Sequence, residues 1–270
     1  MKKIYIVILK FNGEKELTDC LGSVQLIKVP KKWQGEIIIV DNSIKSQKSK
    51  DFGDLSRVVK SQNYNLKLKI IKNKKNLGFA GGVNVGIRYA LKNKAEAVLL
   101  LNQDTEVKKN FLLPLLRNPT DIVGPVIKFK REGKWVYDFG GKVNWWLGRT
   151  SHREVSSIKY QVSSIDYVSG CAMLIRRPVL EKIGLFDERY FLYFEDVDFC
   201  LRAKKAGFKV AIEPKSMIIH RIKEGRKKPL WQRWEAVKSN LIFINRWILW
   251  WRRPIAWAFW LVGGIKILIG

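Results

Sequence analysis

The chain has 270 residues, of which 47% are hydrophobic and only 8 are proline. This composition supports a globular protein with its own core, and it excludes a disordered tail, a collagen-like repeat and a disulfide-stapled miniprotein. With 51 Lys and Arg against 24 Asp and Glu, the formal net charge is +27. We therefore expect an anionic partner: nucleic acid, an acidic membrane leaflet or a phosphorylated small molecule. The charge alone does not choose among them.

Three cysteines, Cys20, Cys171 and Cys200, are widely spaced and form no CxxC pair. This spacing predicts neither a disulfide framework nor a cysteine zinc site, and it favours a reducing, cytosolic compartment. Residues 1–9 are apolar and β-branched, without the apolar core and small-residue cleavage site of a signal peptide. We expect them to form a strand.

The first half of the chain alternates apolar runs of strand length with segments that can form helices. Strands buried on both faces of a parallel sheet are predicted at residues 4–9, 36–40, 68–71 and 97–101, with crossover helices at 14–24, 52–60 and 81–92. This order predicts an open α/β sheet of Rossmann type. Ligands of such sheets bind beyond the carboxyl ends of the strands. The polar segments that follow the strands, at 41–43, 73–82 and 102–105, are therefore candidates for the wall of one crevice.

The pattern loosens over residues 117–167, where Gly-, Trp- and Lys-containing segments at 134–149 predict hairpins or mobile loops over a site. A second ordered region follows. It predicts a strand at 168–175, a short helix at 178–183, a helix at 195–206 ended by Gly207, and two short strands at 209–212 and 216–219.

Two features of the first half have both a functional and a structural interpretation. Asp104 follows a buried strand, where a carboxylate can hold Mg²⁺ or Mn²⁺ against diphosphate oxygens; a lone Asp in this position can also form a turn or cap a helix. The Gly-rich tract at 76–86 can present backbone N–H groups to a phosphate, or it can pack a helix tightly on the sheet.

The strongest local feature is an acidic cluster, Glu195, Asp196 and Asp198, directly after an aromatic run. On a helix beginning near Glu195, Asp198 and Arg202 lie four residues apart and can pair, which leaves Asp196 free to point elsewhere. Clustered carboxylates are unfavourable unless they cap a helix, bind a cation or transfer a proton, and all three interpretations remain open.

The chain contains two histidines. His220 follows an apolar strand directly, so its neutral imidazole can bind a metal at the rim of the sheet, although a lone histidine is more often structural. His152 lies in a predicted polar loop, and we assign it no function.

Taken together and in this order, the motifs resemble the inverting glycosyltransferases of family 2, which have a GT-A fold, and particularly their rhamnosyltransferase-like branch. The resemblance covers residues 2–222 and rests on the segments 7–12, 40–43, 76–84, 101–105, 169–174, 184–188 and 195–202. The fold that it implies is a Rossmann-like mixed sheet flanked by helices.

The resemblance also implies roles for individual residues. Asp196 is implied as the catalytic base, with Glu195 as the less favoured choice, and Asp104 and His220 are implied as ligands of Mg²⁺ or Mn²⁺. Asp41 is implied as the acid that contacts the nucleotide base. The full set implied to contact the nucleotide and its diphosphate is Asp41, Asn42, Asn76, Gly78, Phe79, Gly81, Asn84, Asn102, Gln103 and Asp104.

The chain departs from the family pattern in two places. The DxD element reads Asn102-Gln103-Asp104, so its first acid is missing. The Asp that usually follows Asp-Asn-Ser by a few residues is also absent, since Ile44 and Lys45 come next.

The implied reaction transfers a sugar, with rhamnose as one candidate, from a nucleoside-diphosphate sugar to a hydroxyl of a lipid-linked or polysaccharide acceptor. Two other functions are compatible with parts of the sequence. A nucleic-acid-binding protein would suit the charge, but no binding module is recognisable, so we expect no nucleic acid partner. A nucleotidyltransferase would share the sheet and the metal.

The end of the chain differs in composition from the rest, because seven of the eleven Trp lie between residues 231 and 260. We divide the chain into a GT-A domain at 1–222 and an amphipathic, membrane-associating helical tail at 223–270. The favoured arrangement is one or two helices lying on the cytoplasmic leaflet, where anionic lipid attracts Lys and Arg. A truncated transmembrane helix at 254–270 and a dimer interface are the alternatives. We expect a cytoplasmic protein peripherally attached to the membrane.

Overall fold

The structure is a computed structural model, and it describes residues 1–43, 66–157, 164–222 and 227–269. The predicted helix at 52–60 lies outside the described residues. In chain order, the elements are β1 (Lys2–Lys10), α1 (Glu14–Gln25), β2 (Trp33–Asp41), β3 (Leu66–Lys72), α2 (Gly78–Lys92), β4 (Ala97–Asn102), β5 (Thr105–Val107), α3 (Leu112–Arg117), β6 (Ile122–Arg131), β7 (Lys134–Asn144), β8 (Arg149–Val155), β9 (Ala172–Arg176), α4 (Arg177–Ile183), α5 (Glu195–Lys205), β10 (Val210–His220), α6 (Leu230–Trp247), a 3₁₀ turn (Trp250–Arg252) and α7 (Arg253–Ile269).

The strands form one mixed sheet in the order β3-β2-β1-β4-β9-β6-β10-β5, with β7 paired to β6 and β8 paired to β7. The first four strands of this order are parallel, as the sequence predicted. β9 runs antiparallel between β4 and β6, and β6 is parallel to β10. The carboxyl ends of β4 and β10 therefore lie at the same edge of the sheet, although the two strands are far apart along the chain.

The sheet is covered on both faces, and its central strands contain continuous apolar runs such as residues 4–9 of β1. In β1, Ile4, Ile6 and Ile8 join the cluster that packs on α1, whereas Tyr5 and Val7 join the cluster that packs on α2. Successive side chains of a strand point to opposite faces, so a continuous apolar run requires helices on both sides. This predicted pattern is confirmed.

The second half departs from the prediction in two places. The two short strands predicted at 209–212 and 216–219 are one strand, β10, whose pairing with β6 shifts register between Glu213 and Met217. Pro214 lies within that interval, and because proline has no backbone N–H it is accommodated in a sheet at irregularities of this kind. The strand predicted from residue 168 begins only at Ala172, and Gly170 turns instead towards α5, where its N–H donates to Asp196.

The C-terminal helices pack on the sheet domain. Phe243 and Ile244 of α6 are fully buried in the cluster that also covers α2. The Ser239 hydroxyl donates to the Leu192 carbonyl at 2.8 Å, and the Trp247 indole donates to the Asp198 carboxylate at 2.8 Å. Within the described residues, no helix combines the length and the apolarity needed to cross a membrane. The division at 222/223 and the membrane association stay predictions.

Candidate active site at the carboxyl ends of the strands

Two polar side chains from distant parts of the chain meet at the edge of the sheet. Asp104 lies between β4 and β5, and β5 pairs antiparallel with the end of β10, which places His220 opposite Thr105. As a result, the Asp104 carboxylate oxygen Oδ1 lies 3.1 Å from the His220 nitrogen Nε2. His220 also lines a cavity of about 420 Å³, together with Asn102, Phe79, Glu195 and Asp196.

The pair of Asp104 and His220 has the chemistry of a metal-binding pair. Carboxylate and imidazole are ligands that Mn²⁺ accepts, and the two side chains keep 33% and 19% of their surface exposed. In the part of the chain that the structure describes, no three His, Cys, Asp or Glu side chains converge as a metal site. The pair fits a cation whose remaining ligands come from substrate oxygens or water.

Burial lowers the pKa of His220, but the hydrogen bonds and negative charge that Asp104 and Cys171 can offer outweigh burial and raise that pKa well above its ordinary value. A raised pKa favours the protonated imidazole, which can donate to the Asp104 carboxylate 3.1 Å away. A cation bound by the imidazole would displace its proton.

The acidic pair is held by an unusual turn of the backbone. Tyr193 and Phe194 both adopt left-handed conformations, with φ of 71° and 67°, directly before α5 begins at Glu195. Two consecutive non-glycine residues with positive φ are costly and persist only where the surrounding structure enforces them. The turn directs the first residues of α5 towards the cavity. The predicted pairing of Asp198 with Arg202 is confirmed at 2.8 Å.

The two neighbouring acids have different surroundings. Asp196 accepts backbone N–H hydrogen bonds on both oxygens, from Gly170 and from Val197, each at 2.8 Å. Glu195 is 5% exposed, and its Oε2 has no hydrogen-bond partner among the described residues. Burial and the charge of Asp196 raise the pKa of Glu195 well above its usual value. Burial also raises the pKa of Asp196, but the Gly170 N–H acts against it. The two N–H donors therefore favour the ionised form of Asp196, a stabilisation that the buried Oε2 of Glu195 lacks among the described residues.

The Gly-rich tract is fixed by the amide of Asn42, which is 1% exposed. Its nitrogen donates to Asn76 Oδ1 at 2.8 Å and to the Gly78 carbonyl at 2.9 Å, and its oxygen accepts from Asn73 and from the Leu77 N–H. Gly78 has φ of 71°, and a Cβ there would lie 2.3 Å from the Phe191 carbonyl oxygen. Only glycine fits at this position. The bonds of Asn42 thus hold the tract beside the aromatic run that precedes Glu195.

Other residues predicted to contact the nucleotide also bond to neighbouring chain segments. Asn84 is 1% exposed; its side-chain amide donates to the Phe186 carbonyl at 2.9 Å and accepts from the Phe186 N–H at 3.0 Å. The Gln103 amide donates to the Asn12 carbonyl at 2.8 Å and accepts from the Phe11 N–H at 2.9 Å. These two side chains join chain segments that are distant in sequence through hydrogen bonds near the site.

Asp41 ends β2 and accepts from Lys10 Nζ at 3.3 Å and from the Ser43 N–H at 3.1 Å. Of the predicted nucleotide contacts, Phe79 and Asn102 line the cavity, whereas Asp41, Asn42, Asn76, Gly78, Gly81, Asn84, Gln103 and Asp104 lie outside its lining. Direct contact of any of them with a nucleotide stays a prediction.

Sequence reasoning assigned no function to His152, which is one of several cavity side chains that it missed. His152 lies in β8, not in a loop, and it lines the cavity beside Asp196. Its Nδ1 lies 2.8 Å from the carboxylate of Asp138, which is 5% exposed, and its ring meets Tyr167 edge-on. The pairing of β7 with β8 brings Asp138 and His152 together, so the sequence spacing alone carried no signal.

Residues 5–184 match the model of glycosyl transferase family 2. The low-salt glycan biosynthesis hexosyltransferase Agl10 of Haloferax volcanii is 26% identical over 218 residues, 76% of this chain and 62% of that protein. The N-acetylglucosaminyl-diphospho-decaprenol L-rhamnosyltransferase of Mycobacterium tuberculosis is 36% identical over 96 residues, 35% of this chain and 31% of that protein. The crystal structure of GalNAc-T7 with UDP, GalNAc and Mn²⁺ superposes with a TM-score of 0.68 at 18% identity, over 90% of this chain and 48% of that one.

The mixed sheet, flanked by helices and carrying its polar residues at the carboxyl ends, has the GT-A fold of the solved glycosyltransferases that it resembles. The family model covers well over half of the chain. The chain belongs to glycosyl transferase family 2, which confirms the family predicted from the motifs.

Proposed function

We propose that this protein is an inverting, metal-assisted glycosyltransferase that moves a sugar from a nucleoside-diphosphate sugar to a hydroxyl of a lipid-linked or polysaccharide acceptor at the membrane. One observation carries the proposal: Asp196, Glu195 and His220 line a single cavity at the carboxyl ends of the strands, and Asp104 lies within hydrogen-bond distance of His220. Family membership supports it, as do the UDP and Mn²⁺ in GalNAc-T7 and the decaprenol-linked substrate named for the mycobacterial relative.

Asp196 is the favoured base, for a physical reason. A base must be ionised before it accepts a proton, and the N–H groups of Gly170 and Val197 stabilise the charged carboxylate of Asp196. Among the residues that the structure describes, none donates to the buried Oε2 of Glu195. The same two hydrogen bonds fix the orientation of the Asp196 carboxyl group in the cavity.

In the proposed reaction, the oxygen of the acceptor hydroxyl attacks the anomeric carbon while its proton passes to Asp196. The bond from the anomeric carbon to the diphosphate oxygen breaks, and the electron pair leaves with the nucleoside diphosphate. A single displacement of this kind inverts the anomeric centre. Asp104 and His220 would hold a divalent cation, and that cation would supply positive charge against the diphosphate.

Attachment to the cytoplasmic face of the membrane is part of the proposal. Large apolar side chains of the C-terminal helices are exposed, among them Trp231, Trp234, Trp250, Trp251 and Trp257. Arg252 stacks on Trp251 at 4.3 Å. Aromatic and basic side chains together suit the interface of an anionic bilayer. Flotation with anionic vesicles but not with neutral ones is expected, and equal recovery with both would remove this part of the proposal.

The reaction is tested with Asp196→Asn, matched by Asp19→Asn on the exposed side of α1. We expect Asp196→Asn to lower turnover by about 10²–10⁴-fold, because general base catalysis is lost. It should keep the thermal shift that a nucleotide sugar gives with Mn²⁺. Asp19→Asn should behave as the wild type. Near-normal turnover of Asp196→Asn would exclude it as the base, and release of pyrophosphate in place of nucleoside diphosphate would indicate nucleotidyl transfer.

A further inference from the structure

A second cavity, here called the apolar cleft, lies beside the candidate active site. It has a volume of about 500 Å³ and lies between β8 and the helices α6 and α7. Most of its wall is apolar, with Phe194, Val237, Phe259, Trp260, Val262 and Ile267 among the lining side chains. This volume is in the range of sites that bind small molecules.

The apolar cleft adjoins the candidate active site. Thr150, Phe194 and Ala236 line both cavities. Phe194 immediately precedes the acidic pair, so a ligand that fills the cleft would have one end beside Glu195 and Asp196. The cleft is therefore positioned for a part of the acceptor that does not react.

Each of the two adjoining cavities has a basic side chain in its lining. Arg149 lines the cleft, and its Nη2 donates to the Phe259 carbonyl at 3.2 Å. A Cβ at position 263 would lie 1.9 Å from that nitrogen, so the glycine makes room for the guanidinium. Lys228 lines the active-site cavity, with its Nζ 4.6 Å from the centre of the Tyr193 ring. A cleft lined by apolar side chains and by Arg149, next to a cavity lined by Lys228, suits a ligand with an apolar chain and an anionic head.

We propose that the apolar cleft binds the first isoprenoid units of a prenyl-diphosphate-linked acceptor, with Arg149 and Lys228 facing the diphosphate and the sugar reaching Asp196. This assignment rests on the proposed function, which it deepens by naming the acceptor class. It also gives the C-terminal helices a role in recognising the acceptor.

The chain offers a matched pair of substitutions. Val262 and Ile265 both lie on α7 and are 56% and 50% exposed, but only Val262 lines the cleft. A glutamate at either position adds the same charge to the tail, so Val262→Glu and Ile265→Glu should change membrane affinity alike. Only Val262→Glu places a carboxylate in the cleft, where desolvating it beside an apolar chain is costly.

The probes are farnesyl diphosphate and inorganic diphosphate, titrated calorimetrically into the full chain. We expect farnesyl diphosphate to bind the wild type more tightly than inorganic diphosphate does, and Val262→Glu to weaken it by about tenfold or more while Ile265→Glu changes it by less than about twofold. Equal binding of farnesyl diphosphate to both variants, or equal binding of both probes to the wild type, would overturn the proposal.

Two further measurements keep the outcome unambiguous. Arg149→Gln should weaken the binding of farnesyl diphosphate but not that of farnesol. Unchanged binding of both ligands would contradict the assigned role of the guanidinium, and this test does not depend on whether Val262→Glu folds. A thermal-shift titration with nucleotide sugars and Mn²⁺ tests the proposed function separately. If nucleotide sugars shift the melting temperature but farnesyl diphosphate does not bind, only the assignment of the cleft is refuted. If farnesyl diphosphate binds but no nucleotide sugar shifts the melting temperature, only the proposed transferase function is refuted.

Discussion

The indole of Trp247 joins α6 to the sheet domain through a buried carboxylate, and its replacement by phenylalanine should destabilise the whole protein. Asp198 is 0% exposed and has three partners: Trp247 Nε1 at 2.8 Å, Arg202 Nε at 2.8 Å and Arg246 Nε at 3.2 Å. Phenylalanine keeps most of the ring but cannot donate. The substitution therefore leaves a buried charge with one donor fewer.

The magnitude follows from the charge of the acceptor. A hydrogen bond to an ionised group contributes about 1.5–3 kcal/mol to the free energy of unfolding. For a chain of this size, each kcal/mol lowers the melting temperature by about 2–4 °C. We therefore expect Trp247→Phe to lower it by roughly 3–12 °C.

The control is Trp250→Phe. This substitution changes the ring in the same way, but Trp250 is 78% exposed, so no buried hydrogen bond is lost. Thermal unfolding followed by circular dichroism, with urea titrations at one temperature, measures both variants. If Trp247→Phe melts together with Trp250→Phe, the indole hydrogen bond does not stabilise the fold. A separate, early transition confined to the tail would instead support the predicted division at 222/223.

Three further outcomes are expected. Asp104→Asn should abolish the extra thermal shift that Mn²⁺ gives with a nucleotide sugar while keeping the metal-free shift; an unchanged Mn²⁺ response would exclude Asp104 as a ligand. Burial lowers the pKa of His152, but its bond to a buried carboxylate raises that pKa above 6.5. The stability advantage of the wild type over His152→Gln should therefore be full below pH 6.5 and decline as the pH rises through the folded-state pKa, and parallel melting curves across pH would contradict this. Gly86→Ala should destabilise by about 1–3 kcal/mol, because its Cβ would lie 2.5 Å from Val7 Cγ1. Gly22→Ala, with no atom within 4 Å of the new Cβ, should stabilise by about 0.5–1 kcal/mol in urea titrations, and equal effects of the two would refute the packing argument.

The strands and helices of the first half could be read from the sequence because local pattern and burial agree there. β1 was predicted at 4–9 and spans Lys2–Lys10, and α1 was predicted at 14–24 and spans Glu14–Gln25. A strand buried on both faces needs apolar side chains at every position, so its run is continuous and bounded by polar residues. β10 was predicted as two strands because Pro214, at the register shift, resembles the end of a strand in the sequence.

The candidate site could be predicted only residue by residue. The types and positions of Asp104, Asp196 and His220 are in the sequence, and their order supports the family. Their proximity depends on β9 running antiparallel between β4 and β6, which returns β10 to the same edge of the sheet. The pairing of His152 with Asp138 depends likewise on the register of β7 against β8.

By itself, the sequence determined the alternation of strands and helices and the residues able to carry charge or bind metal, because these are local properties of neighbouring side chains. The family followed from the order of the motifs along the chain. The tertiary structure alone decided which of those residues meet. Asp104 and His220 are 116 positions apart and Asp198 and Trp247 are 49 apart. Contacts over such separations follow from strand order and helix packing, which depend on the burial of the whole core and leave no periodic signal in the chain.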